Sequence, residues 1–415
     1  MPSTEPYRLV DHCRVCGGGL VLVLDLGKQY IATYFDKPGE TIPHRERIPL
    51  ELCECERCGI WQLSVTVDRE LLYRRYWYRS GVNRTMREAL MSVVMEGMAE
   101  VQFGSDDRVV DIGSNDWTLL KCYPDWVHKI GIEPSQIPLE RKPPHNSTLV
   151  NEFFSGQTFE AKIVTAVAML YDLDDPRAFL RGVANTLTPD GVFVAQLSYL
   201  PLMLRQVAFD NICHEHLFYY SLSDLIELFG ECGLHLYQAS LNNVNGGSIR
   251  VVASKEAREP DVSVEEILGE YEEDLSFQKR VFPQQVRDRV RKVKTYLEAR
   301  KAEGKSISLL GASTKGNVFL QYADIGSSLV SFAAERNPDK WGARTLGTGI
   351  PIVDEKQEAE VKLVMPWHFL PEIAERERWD YGQELVAALP DFLTLTSDDH
   401  EAKLQVFQSG LCLPS

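Results

Sequence analysis

Unbroken apolar runs alternate with helix-length segments through the middle of this chain. Arg108 to Ile112, Val127 to Ile132, Lys162 to Met169 and Val192 to Leu197 are rich in consecutive Val, Ile and Ala. That is the pattern of strands covered on both faces, as in a parallel sheet. Thr85 to Val101, Ala178 to Leu187 and Ser221 to Cys232 predict helices between and after them, with a turn at Pro189-Asp190-Gly191. Leu234 to Leu241 and Ser248 to Ser254 read as two last strands. They are joined by Asn242 to Gly247, a stretch rich in residues that tolerate positive φ. Val264 to Lys301 is charged and predicts a solvated helical connector interrupted at Pro283. The βα rhythm resumes with Ser306 to Leu310, Val330 to Ala334, Ile350 to Val353 and Val361 to Val364. The fold class is therefore α/β, with a central Rossmann-like domain and a smaller C-terminal one.

The first block, to about residue 65, breaks this rhythm. It is short and turn-rich, and it holds Cys13-Arg14-Val15-Cys16 before Gly17 and Cys55-Glu56-Arg57-Cys58 before Gly59. Two such knuckles supply four thiolates for a closed, structural Zn²⁺ site, and metal would supply folding energy that so small a block lacks. Cys53 competes with Cys55 as a ligand at a small change of register. The expected domains are 1–68 (zinc-binding), 69–262 (the central Rossmann-like domain) and 263–415 (connector and C-terminal α/β unit).

Charge narrows the choice of partners. A net charge of -16 leaves no basic stripe for nucleic acid. No apolar run is long enough for a bilayer and the first residues carry no signal-peptide core, so a cytoplasmic protein with a small-molecule partner is expected. Nine cysteines without a secretory signal fit a reducing compartment. The oligomeric state is left open.

Three stretches carry chemistry. Val109 to Asp116 is a strand running into Gly113-Ser114-Asn115-Asp116, and Glu133 ends the next strand. A glycine turn with an acid one strand later is the logic of a nucleoside site. With one glycine in place of three it suits a ligand with an amino-acid tail better than a pyrophosphate, which points to S-adenosylmethionine. Asp111, Gly113, Ser114, Asn115, Glu133, Pro134 and Met169 are the candidate contacts. Cys213-His214-Glu215-His216 follows an apolar strand and precedes a helix, where an α/β sheet binds ligands. Imidazoles beside a carboxylate suit proton transfer near neutral pH. Gly311 to Asn317 is a strand-to-helix turn with Ser313, Thr314 and Lys315, readable as an anion cradle or as a plain helix cap. The aromatic stretch Tyr73 to Asn83 reads either as a packed linker or as a lid.

Taken together, the cysteine knuckles, Val109 to Asp116, Ile212 to His216, Gly246 to Arg250 and Gly311 to Asn317 occur in an order that resembles the sugar C-methyltransferases. The resemblance spans nearly the whole chain, and mycarose-type 3-C-methyltransferases are the nearest members. It implies methylation at C3 of a dTDP-4-keto-deoxysugar through an enolate, in branched deoxysugar (antibiotic) biosynthesis. A coupled 4-ketoreduction with NADPH is a side activity it leaves open. By this likeness His216 is the general base, Glu215 assists, His214 supports, and Tyr76 or Tyr78 places a hydroxyl near the sugar. Ser80, Asn83, Asn245, Lys315 and Asn317 are expected to bind substrate, with Lys315 on the diphosphate. The chain departs from the family at Cys213 (often Tyr), Trp117 (often Gly) and Asn245 (often His), and has Met169-Leu170-Tyr171 where some members carry His. Two other readings are an NADPH-dependent nucleotide-sugar reductase and a zinc-dependent scaffold without activity.

Overall fold

In the computed structural model, residues 5–73, 78–156, 159–377, 379 and 382–411 are described. The central sheet has seven strands in the order His235–Asn242, Ser248–Ser254, Leu187–Ser198, Ala161–Val167, Arg108–Ile112, His128–Ile132 and Ser147–Val150. The last five are parallel, and Ser248–Ser254 runs antiparallel to both its neighbours. The strand order reverses between Arg108–Ile112 and Ala161–Val167, so a crevice opens at their carboxyl ends. A second sheet orders Ile352–Asp354, Phe332–Glu335, Ile307–Leu310, Val361–Val364, Glu384–Ala387 and Leu393–Leu395, with only the last strand antiparallel.

The N-terminal block is more regular than its composition predicts. Leu20–Gln29, Ile48–Cys55 and Trp61–Leu63 form an antiparallel sheet. Its fourth strand is Phe218–Tyr219, donated by the central domain directly after the His-Glu-His run. Phe35–Asp36 pairs with Arg344–Thr345 of the C-terminal unit. Leu50, Leu52, Trp61 and Leu63 lie in one buried cluster with Val110, Ile112 and Leu309, so the small block borrows its core from both neighbours.

The connector also differs from expectation. Val262–Ile267 is followed by a wide turn, and then Leu275–Ala302 runs unbroken with Pro283 inside it. The interruption falls at residues 273–274, ahead of the proline. Nor is this helix solvated all round: Phe282, Val286, Val293 and Leu297 form a buried stripe. Phe282 meets the Trp61 ring at 5.9 Å, and Lys279 donates to the Gly59 carbonyl at 2.7 Å. That packing holds the helix through the missing N–H of proline. Pro189-Asp190-Gly191 is likewise absorbed into the long strand Leu187–Ser198.

Candidate functional site

Cys13, Cys16, Cys55 and Cys58 converge, with all four sulfurs within 4.8 Å of one another. Cys13 Sγ lies 3.7 Å from Cys58 Sγ, and Cys16 Sγ 3.4 Å from Cys55 Sγ. A tetrahedral zinc with bonds of about 2.3 Å separates its sulfurs by roughly 3.8 Å, so the donor set fits the ion. The backbone N–H groups of Cys16 and Arg57 turn toward Cys13 Sγ and Cys55 Sγ, as a knuckle requires. Burial would raise the Cys55 thiol, but the Cys58 and Arg57 amides and the Cys16 thiol bring it down to about 7. Cys53 stays outside the cluster, and burial pushes its thiol up to about 11.

A cavity of about 1920 Å³ lies between the carboxyl edges of the central and C-terminal sheets. One end is the turn after Arg108–Ile112. Gly113 sits at φ +79°, and its N–H donates to the Ile132 carbonyl at 2.8 Å. Glu133 accepts from Asn115 N at 3.0 Å and from Ser135 N at 2.9 Å, which fixes its carboxylate at the rim. The buried Ser114 hydroxyl has no partner among the described residues. An unfilled donor, a glycine turn and a fixed acid fit the ribose and amino-acid tail of S-adenosylmethionine. Asp111, Pro134 and Met169 line the same space. Burial raises the Asp111 carboxyl to about 7 against the Thr165 hydroxyl, which donates to it at 2.6 Å, and Glu133 adds to the rise.

Residues 78–83 strap across this turn. Asn115 Nδ2 donates to the Tyr78 carbonyl at 3.2 Å, Ser80 N to Asn115 Oδ1 at 3.2 Å, and Gly81 N to Asp116 Oδ2 at 2.9 Å. Tyr78, Ser80 and Asn83 thus line the cavity, and the segment covers the site as well as linking domains. Tyr76 lies outside the described residues. Trp117 adopts a left-handed φ of +70°, a conformation glycine favours. Its buried indole covers Gly131 and donates to the Pro138 carbonyl at 3.0 Å, so the departure at this position has a packing reason.

The His-Glu-His run turns back on itself, with His216 N donating to the Cys213 carbonyl at 3.0 Å. Its two histidines therefore part company. His214 faces the N-terminal sheet, with Nε2 3.3 Å from the Ile48 carbonyl, and does not line the cavity. Its role is a tether, and burial drops its pKa to about 4. His216 and Glu215 line the cavity together with Gly113. His216 Nδ1 donates to the Asn211 carbonyl at 2.7 Å, which leaves Nε2 as the lone-pair nitrogen. Burial, reinforced by Lys315, lowers the ring's pKa to about 3. Both oxygens of Glu215 lack a hydrogen bond of good geometry, and burial raises its carboxyl against the Cys213 thiol and the Thr33 hydroxyl. Cys213 lines the cavity beside them, its thiol raised by burial and by Glu215.

The C-terminal sheet repeats the turn of the central one. Gly311 sits at φ +83°, its N–H donates to the Ala334 carbonyl at 2.8 Å, and Glu335 accepts from Ala312 N at 2.8 Å and Asn337 N at 3.0 Å. Lys315 lines the cavity and donates to the Asn245 carbonyl at 3.2 Å. Asn317 does not line it; its Nδ2 donates to the Ala32 carbonyl at 3.4 Å, toward the N-terminal block. Sequence reasoning missed Glu335, His368 and Gln196, all of which border the cavity. The first two follow or end parallel strands, a position that itself points to ligands.

Three family models match in tandem and nearly fill the chain: a putative zinc binding domain over residues 13–73, a methyltransferase domain over 82–239, and the C-methyltransferase C-terminal domain over 243–390. The three together describe a C-methyltransferase. The C-methyltransferase NovU of Streptomyces niveus is 28% identical over 418 residues, covering 92% of this chain and 96% of its own. Among solved structures, a chain of the Haloferax volcanii complex between the Trm112 methyltransferase activator and a putative methyltransferase is 16% identical. It covers 43% of this C-methyltransferase and 93% of its own length, with a TM-score of 0.36. The CcbJ methyltransferase of Streptomyces caelestis is 16% identical and covers 45% and 95%, with a TM-score of 0.34. This C-methyltransferase depends on S-adenosylmethionine, and its Cys₄ cluster belongs to a zinc-binding domain. Among the described residues no helix is long and apolar enough to cross a membrane.

Proposed function

We propose that this C-methyltransferase acts at C3 of a dTDP-linked 4-keto-deoxysugar, with His216 as general base, in the making of a branched deoxysugar. One observation carries the reading: an imidazole whose Nδ1–H is fixed on a carbonyl, leaving Nε2 with the lone pair, lines the cavity that also holds the Gly113 turn. A 4-keto group acidifies the C3–H bond, and a neutral Nε2 is the form that accepts this proton. Glu215, buried without a good hydrogen bond, is available to steady the imidazolium that results. Bound S-adenosylmethionine supplies an electrophilic methyl group. Asp111, Gly113, Asn115 and Glu133 would hold it, and the strap at residues 78–83 would keep water from it.

The nucleotide end of the substrate fits the second glycine turn, where Gly311 lets backbone approach closely and Glu335 stands ready for ribose hydroxyls. The comparisons favour methyl transfer and give the reductase reading no support. Mass spectrometry of a panel of dTDP-4-keto sugars incubated with S-adenosylmethionine tests the proposal, and the gain of one methyl is the expected result. His216→Asn should lower that yield by about 10²–10⁴-fold, the usual worth of a positioned base. Near wild-type turnover by this variant would remove His216 from the role.

A further inference from the structure

Lys315 lines the same cavity as His216, and its surroundings do not suit a phosphate anchor. It belongs to the helix Thr314–Ala323, capped by Ser313, whose hydroxyl accepts from Gly316 N at 3.0 Å. Phe319 and Tyr322 of that helix pack on Phe209 at 5.2 and 5.6 Å. Phe209 opens the turn Phe209–Asn211, whose last carbonyl holds His216. The helix thus delivers its lysine to the imidazole end. The ammonium makes one hydrogen bond among the described residues, to the Asn245 carbonyl, and no ion pair. The nearby Asp210 gives one oxygen to Trp367 Nε1 at 3.1 Å, and its other oxygen has no partner among the described residues. His368 Nδ1, in the turn Trp367–Phe369 after the neighbouring strand Val361–Val364, is also buried and has no partner among the described residues. Lys315 acts electrostatically on both His216 and His368, which ties the three into one cluster. Asp210 acts on the ammonium only at a distance, without an ion pair, and a poorly compensated cation with donors to spare is costly unless the ligand develops a negative charge beside it.

We propose that Lys315 is a catalytic electrophile, its ammonium donating to the C4 carbonyl oxygen of the sugar as His216 Nε2 takes the C3 proton. This rests on the enolate reading given above. The C3–H bond breaks and the proton goes to Nε2. Its electron pair becomes the C3–C4 π bond, and the carbonyl π pair moves to the C4 oxygen, where the ammonium meets it. No oxidant, reductant or further reactant enters. The reverse step returns a proton to C3, so in D₂O the cycle exchanges that position with no methyl donor present.

The test follows the C3 proton of dTDP-4-keto-6-deoxyglucose by NMR in D₂O with the full chain and without S-adenosylmethionine. Wild type should exchange it. Lys315→Met should slow exchange at saturating sugar by about 10²–10³-fold, the loss on removing one oxyanion donor. Its affinity for the sugar should change less than about threefold, and Lys315→Arg should recover part of the rate. Unchanged affinity for S-adenosylhomocysteine shows that the variant is folded. If Lys315→Met weakens sugar binding but exchanges normally at saturation, the residue is an anchor and the proposal falls. It falls equally if neither quantity changes. Failure of wild type to exchange strikes the enolate reading itself, and full exchange by His216→Asn removes His216 as the base that reading assigns.

Discussion

His216 is held in one tautomer by a single carbonyl, and its protonation state follows from where that carbonyl puts it. Burial and Lys315 lower its pKa from an ordinary 6.5 to about 3. The stability this neutral ring contributes is present above 6.5 and is lost as pH falls through about 3. The Cε1 proton resonance of His216, assigned through His216→Asn, should therefore show no titration step near pH 6.5 in the ligand-free enzyme. A midpoint within half a unit of 6.5 would show that the ring is open to water. Cys53 and Cys55 give a second test at this scale. Cys55→Ser should cut bound zinc well below one ion per chain by atomic absorption, and Cys53→Ser should leave it unchanged, because only Cys55 lies in the sulfur cluster. Sequence reading could find His216 and Glu215, because polar groups are rare in so apolar a stretch. The family likeness ranked His216 above His214, but nothing in the residues themselves showed that the two face different ways. The fold-back at Cys213 sends neighbours to opposite sides, and no periodicity announces a turn that short.

At the scale of elements, the turn ending at Gly247 shows how a few backbone atoms set a binding wall. Gly246 has φ +92°, and a Cβ there would stand 2.6 Å from the Trp367 ring. Gly246→Ala should cost on the order of 2 kcal/mol or more through backbone strain and overpacking. A lower denaturant midpoint at unchanged m would register it. Because Asn245 next door holds Lys315, the variant should also lose turnover while keeping its affinity for S-adenosylhomocysteine. The parallel strands were legible because a strand covered on both faces must be apolar throughout, as Ala161–Val167 is. The N-terminal sheet was not. Leu20–Gln29 and Ile48–Cys55 pair through two register shifts that blur their alternation, and Phe218–Tyr219 is too short to hold a pattern. Pro283 misled for a related reason. Its local cost is real, but Phe282 and Val286 are buried on either side of it and hold the helix together.

Across the whole molecule, the zinc cluster and the proposed base are joined by one short path. Cys55 ends the strand Ile48–Cys55, that strand pairs with Trp61–Leu63, and Trp61–Leu63 pairs with Phe218–Tyr219, two residues beyond His216. Stripping the metal with a chelator should therefore do more than loosen the N-terminal block. Hydrogen–deuterium exchange should rise at residues 213–219 as well as at 48–63, and C3 exchange should be lost with it. Protection at 213–219 that survives full zinc removal would mean the two regions are independent.

A practical limit on recombination follows from that borrowed strand. The N-terminal block cannot be traded between relatives as a self-contained cassette, because one edge of its sheet is encoded some 150 positions downstream. A hybrid carrying a foreign block on this body would join two edges that were never matched to each other. Replacing residues 212–220 along with the block should restore the fit, so the loop that holds His216 and the block that holds the metal are expected to be inherited together.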